Sequence, residues 1–280
     1  AADGSLWAWG ENARGQFGNG SSGSDTNKAT PSQVVAPGQL GSEIRSVGAA
    51  SFTSPNSAYS YAVTADGALW HWGGSSTAKI TVPQRVGSLE GISVVKAVRV
   101  QDGYLVLDED GNLWSVGAPE DTSGVSFSEP ILVAEGVADF SAAHYTGYTL
   151  LILKEDGTVL RRVGVDGEFS TIEGGWIEEY VPPVDPDPDP VQPPPERRIT
   201  GMYQGNYHVL ALWSDGSLWS WGSNEGGQLG LPGQQMDSLT PVKIMDNVVS
   251  AAAGSWYSLA VTSDGVLWGF GSNTYGSLGD

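Results

Sequence analysis

The 280-residue sequence predicts an all-β propeller of about six four-stranded blades, with seven as the alternative and the end blades incomplete. Three observations carry that expectation. One short motif recurs along the whole chain. Each copy centres on an Asp-Gly turn with apolar residues on both sides. The composition is rich in turn formers and aromatics, with 39 Gly and 11 Trp, while charged residues make up 16 %.

The motif is Asp3-Gly-Ser-Leu-Trp-Ala-Trp-Gly10. It returns at Asp66–Gly73, Asp110–Gly117, Asp215–Gly222 and Asp264–Gly271, and a longer, decayed copy spans Asp156–Gly164. The Asp-Gly anchors lie 63, 44, 46, 59 and 49 residues apart. Asp-Gly is read here as a two-residue hairpin turn in which both residues take positive φ, so strands flank it. The residues three to five places before it are apolar at every position, as in Leu105-Val106-Leu107 and Leu210-Ala211-Leu212. A strand apolar on both faces is buried on both faces, which suits an inner strand held between neighbouring blades. The first tryptophans after the turn (Trp7, Trp70, Trp114, Trp219 and Trp268) are predicted to lie between blades.

Two further elements follow the hairpin. A Gly-rich turn reads Asn12-Ala-Arg-Gly-Gln-Phe-Gly18, Asn224-Glu-Gly-Gly-Gln-Leu-Gly230 and Asn273-Thr-Tyr-Gly-Ser-Leu-Gly279. Outer strands are led by Pro31, Pro83, Pro130 and Pro241, where an edge needs no ladder donor. This combination resembles the RCC1 (regulator of chromosome condensation) repeat. The resemblance is strongest in the first, fifth and sixth copies; the middle ones lack the Gly-rich turn. It implies a ring, usually of seven blades, and a non-enzymatic role in binding other proteins.

The formal charge of −19, from 13 basic and 32 acidic residues, disfavours nucleic acid and anionic membranes as partners. Cysteine is absent, which removes disulfides and thiolate metal sites. No phosphate loop, metalloprotease helix, nucleophile elbow or dinucleotide fingerprint is present. His71, His144 and His208 fall in different repeats. The expectation is therefore no catalytic residue, no metal and no cofactor. The opening Ala1-Ala2-Asp3 reads as a mature end after signal cleavage or as a trimmed fragment, and the first reading places the protein outside the cell or on its surface.

One domain is expected over 1–280. Within its fourth repeat, the Pro/Asp-rich stretch 181–196 forms a stiff polyproline loop. Both ends are out of step with the repeat. The chain starts on a hairpin turn and stops after the sixth Gly-rich turn. Unpaired edges at such ends invite head-to-tail self-association.

The binding face is expected at the loops that enter the apolar strands. Eight and seven residues before each Asp-Gly stand Ala58 and Tyr59, Asp102 and Gly103, Tyr148 and Thr149, Tyr207 and His208, and Trp256 and Tyr257. Tyr and Trp on short loops give contact area at small entropy cost. The candidate binding residues are Tyr59, Asp102, Tyr145, Tyr148, Tyr207, His208, Trp256 and Tyr257. His208 is also read as a residue whose hydrogen bond holds its loop. In related secreted bacterial propellers, including β-lactamase inhibitors, loop aromatics form the inhibitory face. That implication extends by motif to Tyr148, Tyr207, Trp256 and Tyr257. The functions in competition are a protein-binding module or inhibitor, a structural surface repeat, a guanine-nucleotide exchange factor-like regulator and a channel-site lyase.

Overall fold

The computed structural model describes residues 3–53, 56–100, 103–117, 127–143, 149–163, 168–171, 198–231, 237–273 and 278. The Pro/Asp-rich stretch 181–196 lies outside these residues. The chain divides into two compact units, Ala1–Val137 and Ala138–Asp280. The sheets of each are antiparallel, with strands paired in chain order.

The first unit opens with a two-stranded ribbon, β1 (Leu6–Gly10) and β2 (Lys28–Val35). A four-stranded sheet follows: β3 (Ile44–Thr53), β4 (Asn56–Thr64), β5 (Leu69–Ser75) and β6 (Lys79–Arg85). The next comprises β7 (Val94–Val100), β8 (Gly103–Asp108), β9 (Leu113–Gly117) and β10 (Ile131–Ala134). The second unit holds β11 (Val137–Ala143), β12 (Thr149–Lys154), β13 (Val159–Val163) and β14 (Ser170–Thr171) in one sheet. Another contains β15 (Ile199–Gln204), β16 (His208–Trp213), β17 (Leu218–Gly222) and β18 (Ser238–Met245). The last has three strands: β19 (Val248–Ala253), β20 (Tyr257–Thr262) and β21 (Leu267–Gly271).

This corrects the expectation of six or seven four-stranded blades. Among the described residues there are five blades, four of four strands and one of three, beside the β1–β2 ribbon. The fully apolar strand is the second of each blade, flanked by a strand on either side. Every residue of β8 and of β16 is buried; around β16 the cores on both faces belong to the second unit. Within each unit, cores form between consecutive sheets. Val63 and Leu69 pack with Val94, Tyr104 and Val106. Leu151 and Leu153 pack with Met202 and Ala211.

The Asp-Gly turn is not the two-residue hairpin expected. In the β4–β5 turn the Gly67 N–H donates to the Thr64 carbonyl at 2.9 Å and the Thr64 N–H to the Ala68 carbonyl at 3.0 Å. The loop is therefore the three-residue Ala65-Asp66-Gly67, a turn closed by a glycine bulge. Only the glycine, at φ +78°, is left-handed. The aspartate serves through its carboxylate. It accepts the N–H two residues on, at 2.9 Å for Asp3, Asp156 and Asp215. Hydrogen bonds favour the charged form: the Ser5 hydroxyl and then its N–H lower the Asp3 pKa, and the Thr158 N–H lowers that of Asp156.

The tryptophan expectation holds in part: Trp70, Trp114 and Trp219 pack against cores between sheets. In the first Trp column, Trp70, Trp114 and Trp219 are half-buried, while Trp7 and Trp268 are exposed. Most of their indoles lock the turn. Trp7 Nε1 donates to Ser5 Oγ at 2.7 Å, Trp114 to Asp108 Oδ2 at 2.7 Å and Trp219 to Ser217 Oγ at 3.1 Å. Trp72, two residues further on, is sunk between sheets at 2 % exposure.

The Gly-rich turn acts as a plug. Asn12 Oδ1 accepts the Phe17 N–H, Asn224 Oδ1 that of Leu229 and Asn273 Oδ1 that of Leu278, all at 2.9 to 3.0 Å. This folds Phe17 and Leu229 into the core. The turn carbonyls then stitch to the next sheet. Gln16 O accepts from Trp72 Nε1 and Ser60 Oγ, and Gln228 O accepts from Ser258 Oγ, each at 2.8 Å. The prolines sit inside edge strands β2, β6 and β18, at register shifts of their ladders. An edge or a bulge is where a missing donor costs least.

Candidate functional site

The predicted binding column is real as a structural column. Gly103, Thr149, His208 and Tyr257 each open the second strand of their sheet, and Tyr59 is the fourth residue of β4. Tyr59, Gly103, His208 and Tyr257 pair across the ladder with Gly73, Gly117, Gly222 and Gly271, and Thr149 pairs with Val163. The described loops joining first and second strands, at 205–207 and 254–256, lie at the end opposite the Asp-Gly turn. Asp102, Tyr145 and Tyr148 lie outside the described residues.

The second unit brings two of these loops together. The Tyr207 and Trp256 rings meet at 4.1 Å between centroids and 33° between planes. Asn206 Nδ2 donates to Ser255 Oγ at 3.1 Å and ties the same loops. Both aromatic residues are half-buried, so each presents an edge to solvent while its partner restrains the ring. Backbone bonds secure the bases of the loops: Ser223 N–H reaches Tyr207 O and Ser272 N–H reaches Trp256 O, both at 2.8 Å. Gly222 permits that approach. Its φ is +112°, and a Cβ there would stand 2.5 Å from Tyr207 O.

Tyr257 and His208 support the loops rather than extend from them. A Cβ on Gly254 would meet the Tyr257 ring within 2.3 Å, so that ring lies flat on its own loop. His208 is buried and bonded through Nε2 to Ser258 Oγ at 2.7 Å. Ser258 Oγ gives its hydrogen to Gln228 O, so Nε2 is the donor to Ser258 and Nδ1 carries the lone pair. Burial pushes the His208 pKa down to about 4. Burial, with the Arg99 cation as the lesser cause, pushes His71 to about 4 as well.

A pH dependence follows from these two imidazoles. Unfolded histidine binds a proton near pH 6.5, whereas the folded sites bind it near 4. The unfolded state therefore holds more protons between those values. Their contribution to stability is complete above about pH 6.5 and declines as pH falls toward about 4. The turn aspartates have depressed pKa values and lose their contribution only further down, below the unfolded carboxylate value. Tm is expected to fall across the histidine window, and His71→Phe to flatten that slope. A Tm that is level from pH 6.5 to 4 would contradict the assignment.

In the first unit Tyr59 is half-buried and its ring covers the Arg99 guanidinium, with 4.3 Å from Cζ to the ring centroid. Arg99 was missed from the sequence. Its column reads Ala49, Arg99, Gln204 and Ala253, each paired with the residue six before an Asp-Gly. A charge where other copies place Ala or Gln was the available signal. Among the described residues no three His, Cys, Asp or Glu side chains cluster to hold a metal ion.

Known proteins resemble this chain at the same places. Two models of the "Regulator of chromosome condensation (RCC1) repeat" match residues 3–54 and 215–261, and 199–228 and 248–277. The ultraviolet-B receptor UVR8 of Arabidopsis thaliana is 24 % identical over 262 residues, covering 85 % of this chain and 52 % of UVR8. The mitochondrial RCC1 domain-containing protein RUG3 of the same plant is 28 % identical over 204 residues, covering 65 % of this chain and 44 % of RUG3. The chain thus spans about half the length of these relatives. Yeast RCC1 (Prp20), solved with Kap60 bound, superposes with a TM-score of 0.69 at 20 % identity, covering 99 % of this chain and 68 % of that one. Human WBSCR16 gives 0.66 at 18 %, covering 92 % and 67 %. The chain thus carries RCC1 repeats at the matched residues, and its fold is similar to that of the yeast RCC1 and human WBSCR16 structures.

Proposed function

We propose that this chain is a non-catalytic protein-binding module that contacts its partner through the loops between the first and second strands of its blades. The observation that carries this reading is the Tyr207–Trp256 stack, two large rings held by neighbouring loops at 4.1 Å. Aromatic rings that are restrained before binding lose little entropy on contact, and such residues supply a large share of interface energy. The family background agrees: Prp20p from Saccharomyces cerevisiae has been studied for its binding to Gsp1p and histones. Nucleic acid is not part of the reading, because a net charge of −19 leaves little to neutralise phosphates. A role outside the cell, as an inhibitor or surface scaffold, extends the proposal; its support is the likeness of these loop aromatics to those of secreted propellers. Cell fractionation tests that extension, and retention inside the cell removes it.

The Tyr207→Ala/Trp256→Ala double variant tests the site. Its affinity for a captured partner is expected to fall about 100-fold or more, given hot-spot losses of about 2 kcal/mol per ring. Equal affinity for the two proteins, at matched Tm, removes these rings from the interface. An exchange-factor-like regulator is the second reading, favoured by the Prp20 likeness, and a nucleotide-release assay decides it.

A further inference from the structure

Arg99 is out of keeping with its surroundings. It stands on β7 next to the β7–β8 loop, opposite Tyr104 in the ladder. The residue is only 8 % exposed. Its guanidinium lies 4.3 Å from the Tyr59 centroid and 4.9 Å from that of Tyr104. Tyr61 meets Tyr104 edge-on at 5.6 Å, and Phe127 packs on His71 at 4.9 Å and on Tyr104 at 5.9 Å.

None of these neighbours supplies a negative charge. Burial raises the Tyr61 and Tyr104 pKa values, so both phenols keep their protons. His71 is neutral. The Arg99 Nε and Nη1 donors are buried without a hydrogen-bond partner, and so is the Tyr104 hydroxyl. A hidden cation is ordinarily paired. Ring faces recover part of the desolvation cost, but they leave N–H donors without an oxygen. The shortage is local, because the chain carries 32 acidic residues against 13 basic ones. Among the described residues no carboxylate bonds to this guanidinium.

We propose that Arg99 anchors a carboxylate site, in which an acidic side chain of a bound polypeptide takes the free guanidinium donors beneath the Tyr59 ring. This rests on the reading of the loop ends as the interaction face. Planar guanidinium donors match a carboxylate in geometry and charge. One cation in an aromatic box suits a monoanion. A dianionic phosphate would bring a second charge with no second cation, into the field of an acidic chain.

Acetate is the probe, titrated against chloride at constant ionic strength. It is expected to shift the Arg99 Nε–H resonance saturably and to raise Tm by about 3 °C at ten times Kd. Arg99→Met should abolish the acetate-dependent rise in Tm. Arg99→Lys keeps the charge without the fork and should weaken acetate at least about tenfold. A flat acetate response in the wild type overturns the proposal, as does an equal Tm rise in Arg99→Met. Inorganic phosphate binding more tightly than acetate overturns the carboxylate assignment. Asp102, outside the described residues, is tested by Asp102→Asn. If only that variant takes up acetate, the countercharge belongs to the chain itself and the proposal fails. None of these measurements uses the partner or the Tyr207–Trp256 loops, so failure here is separable from failure of the binding reading.

Discussion

Trp72→Ala is expected to lower stability by about 4 kcal/mol, and Trp9→Ala by less than about 1 kcal/mol, although both residues occupy the same place in the repeat. Trp72 is 2 % exposed and donates its indole hydrogen to Gln16 O, in the plug turn of the preceding copy. Truncation leaves a cavity lined by Phe17, Val35 and Ala62, and the surrounding sheets can collapse into it only in part. Trp9 is 62 % exposed. Thermal unfolding should separate the two variants by about 10 °C. Equal shifts would mean that Trp9 is covered in solution.

Gly222→Ala carries the second large effect, about 4 kcal/mol. The residue sits at φ +112°, where an L side chain is strained, and its Cβ would stand 2.5 Å from Tyr207 O and 2.8 Å from His208 Cα. Both obstacles are backbone, so no side chain can swing aside. Relief requires pushing the β15–β16 loop outward, which breaks the Ser223 N–H to Tyr207 O bond. Strain of about 1–3 kcal/mol and a lost, part-buried hydrogen bond of about 1 kcal/mol make up the estimate. The Tyr207–Trp256 stack should open with it, seen as a change in the near-ultraviolet circular dichroism. Gly157→Ala is the control. Its φ is +84° with nothing within 4 Å of a Cβ, so it should cost only about 1 kcal/mol. Similar losses from the two variants would refute the steric argument.

Much of the local structure was legible in the sequence. The apolar triplets before each Asp-Gly located the buried strands, and the ladder partners of Tyr59, His208 and Tyr257 confirm the column counted from the turns. The turn type was misjudged because Asp-Gly is shared by two kinds of hairpin. Which kind forms depends on a third loop residue, such as Ala65, whose part is visible only from the hydrogen bonds. Arg99 escaped notice because its meaning lies in what surrounds it. Tyr59, Tyr61, His71 and Phe127 are scattered in sequence, and pairing the strands gathers them.

The amino-acid order by itself determined the repeating unit: where chains turn, which strand is apolar on both faces, and which Asn closes each plug. These depend on neighbours a few residues apart, so local chemistry suffices. Only the tertiary structure decided which copies of a residue are covered. Leu69, Leu113 and Leu218 are hidden while Leu267, at the same place in its motif, is 61 % exposed. The physical reason is that burial belongs to the sheet stacked against a residue, and the sequence of one copy does not state whether another lies over it.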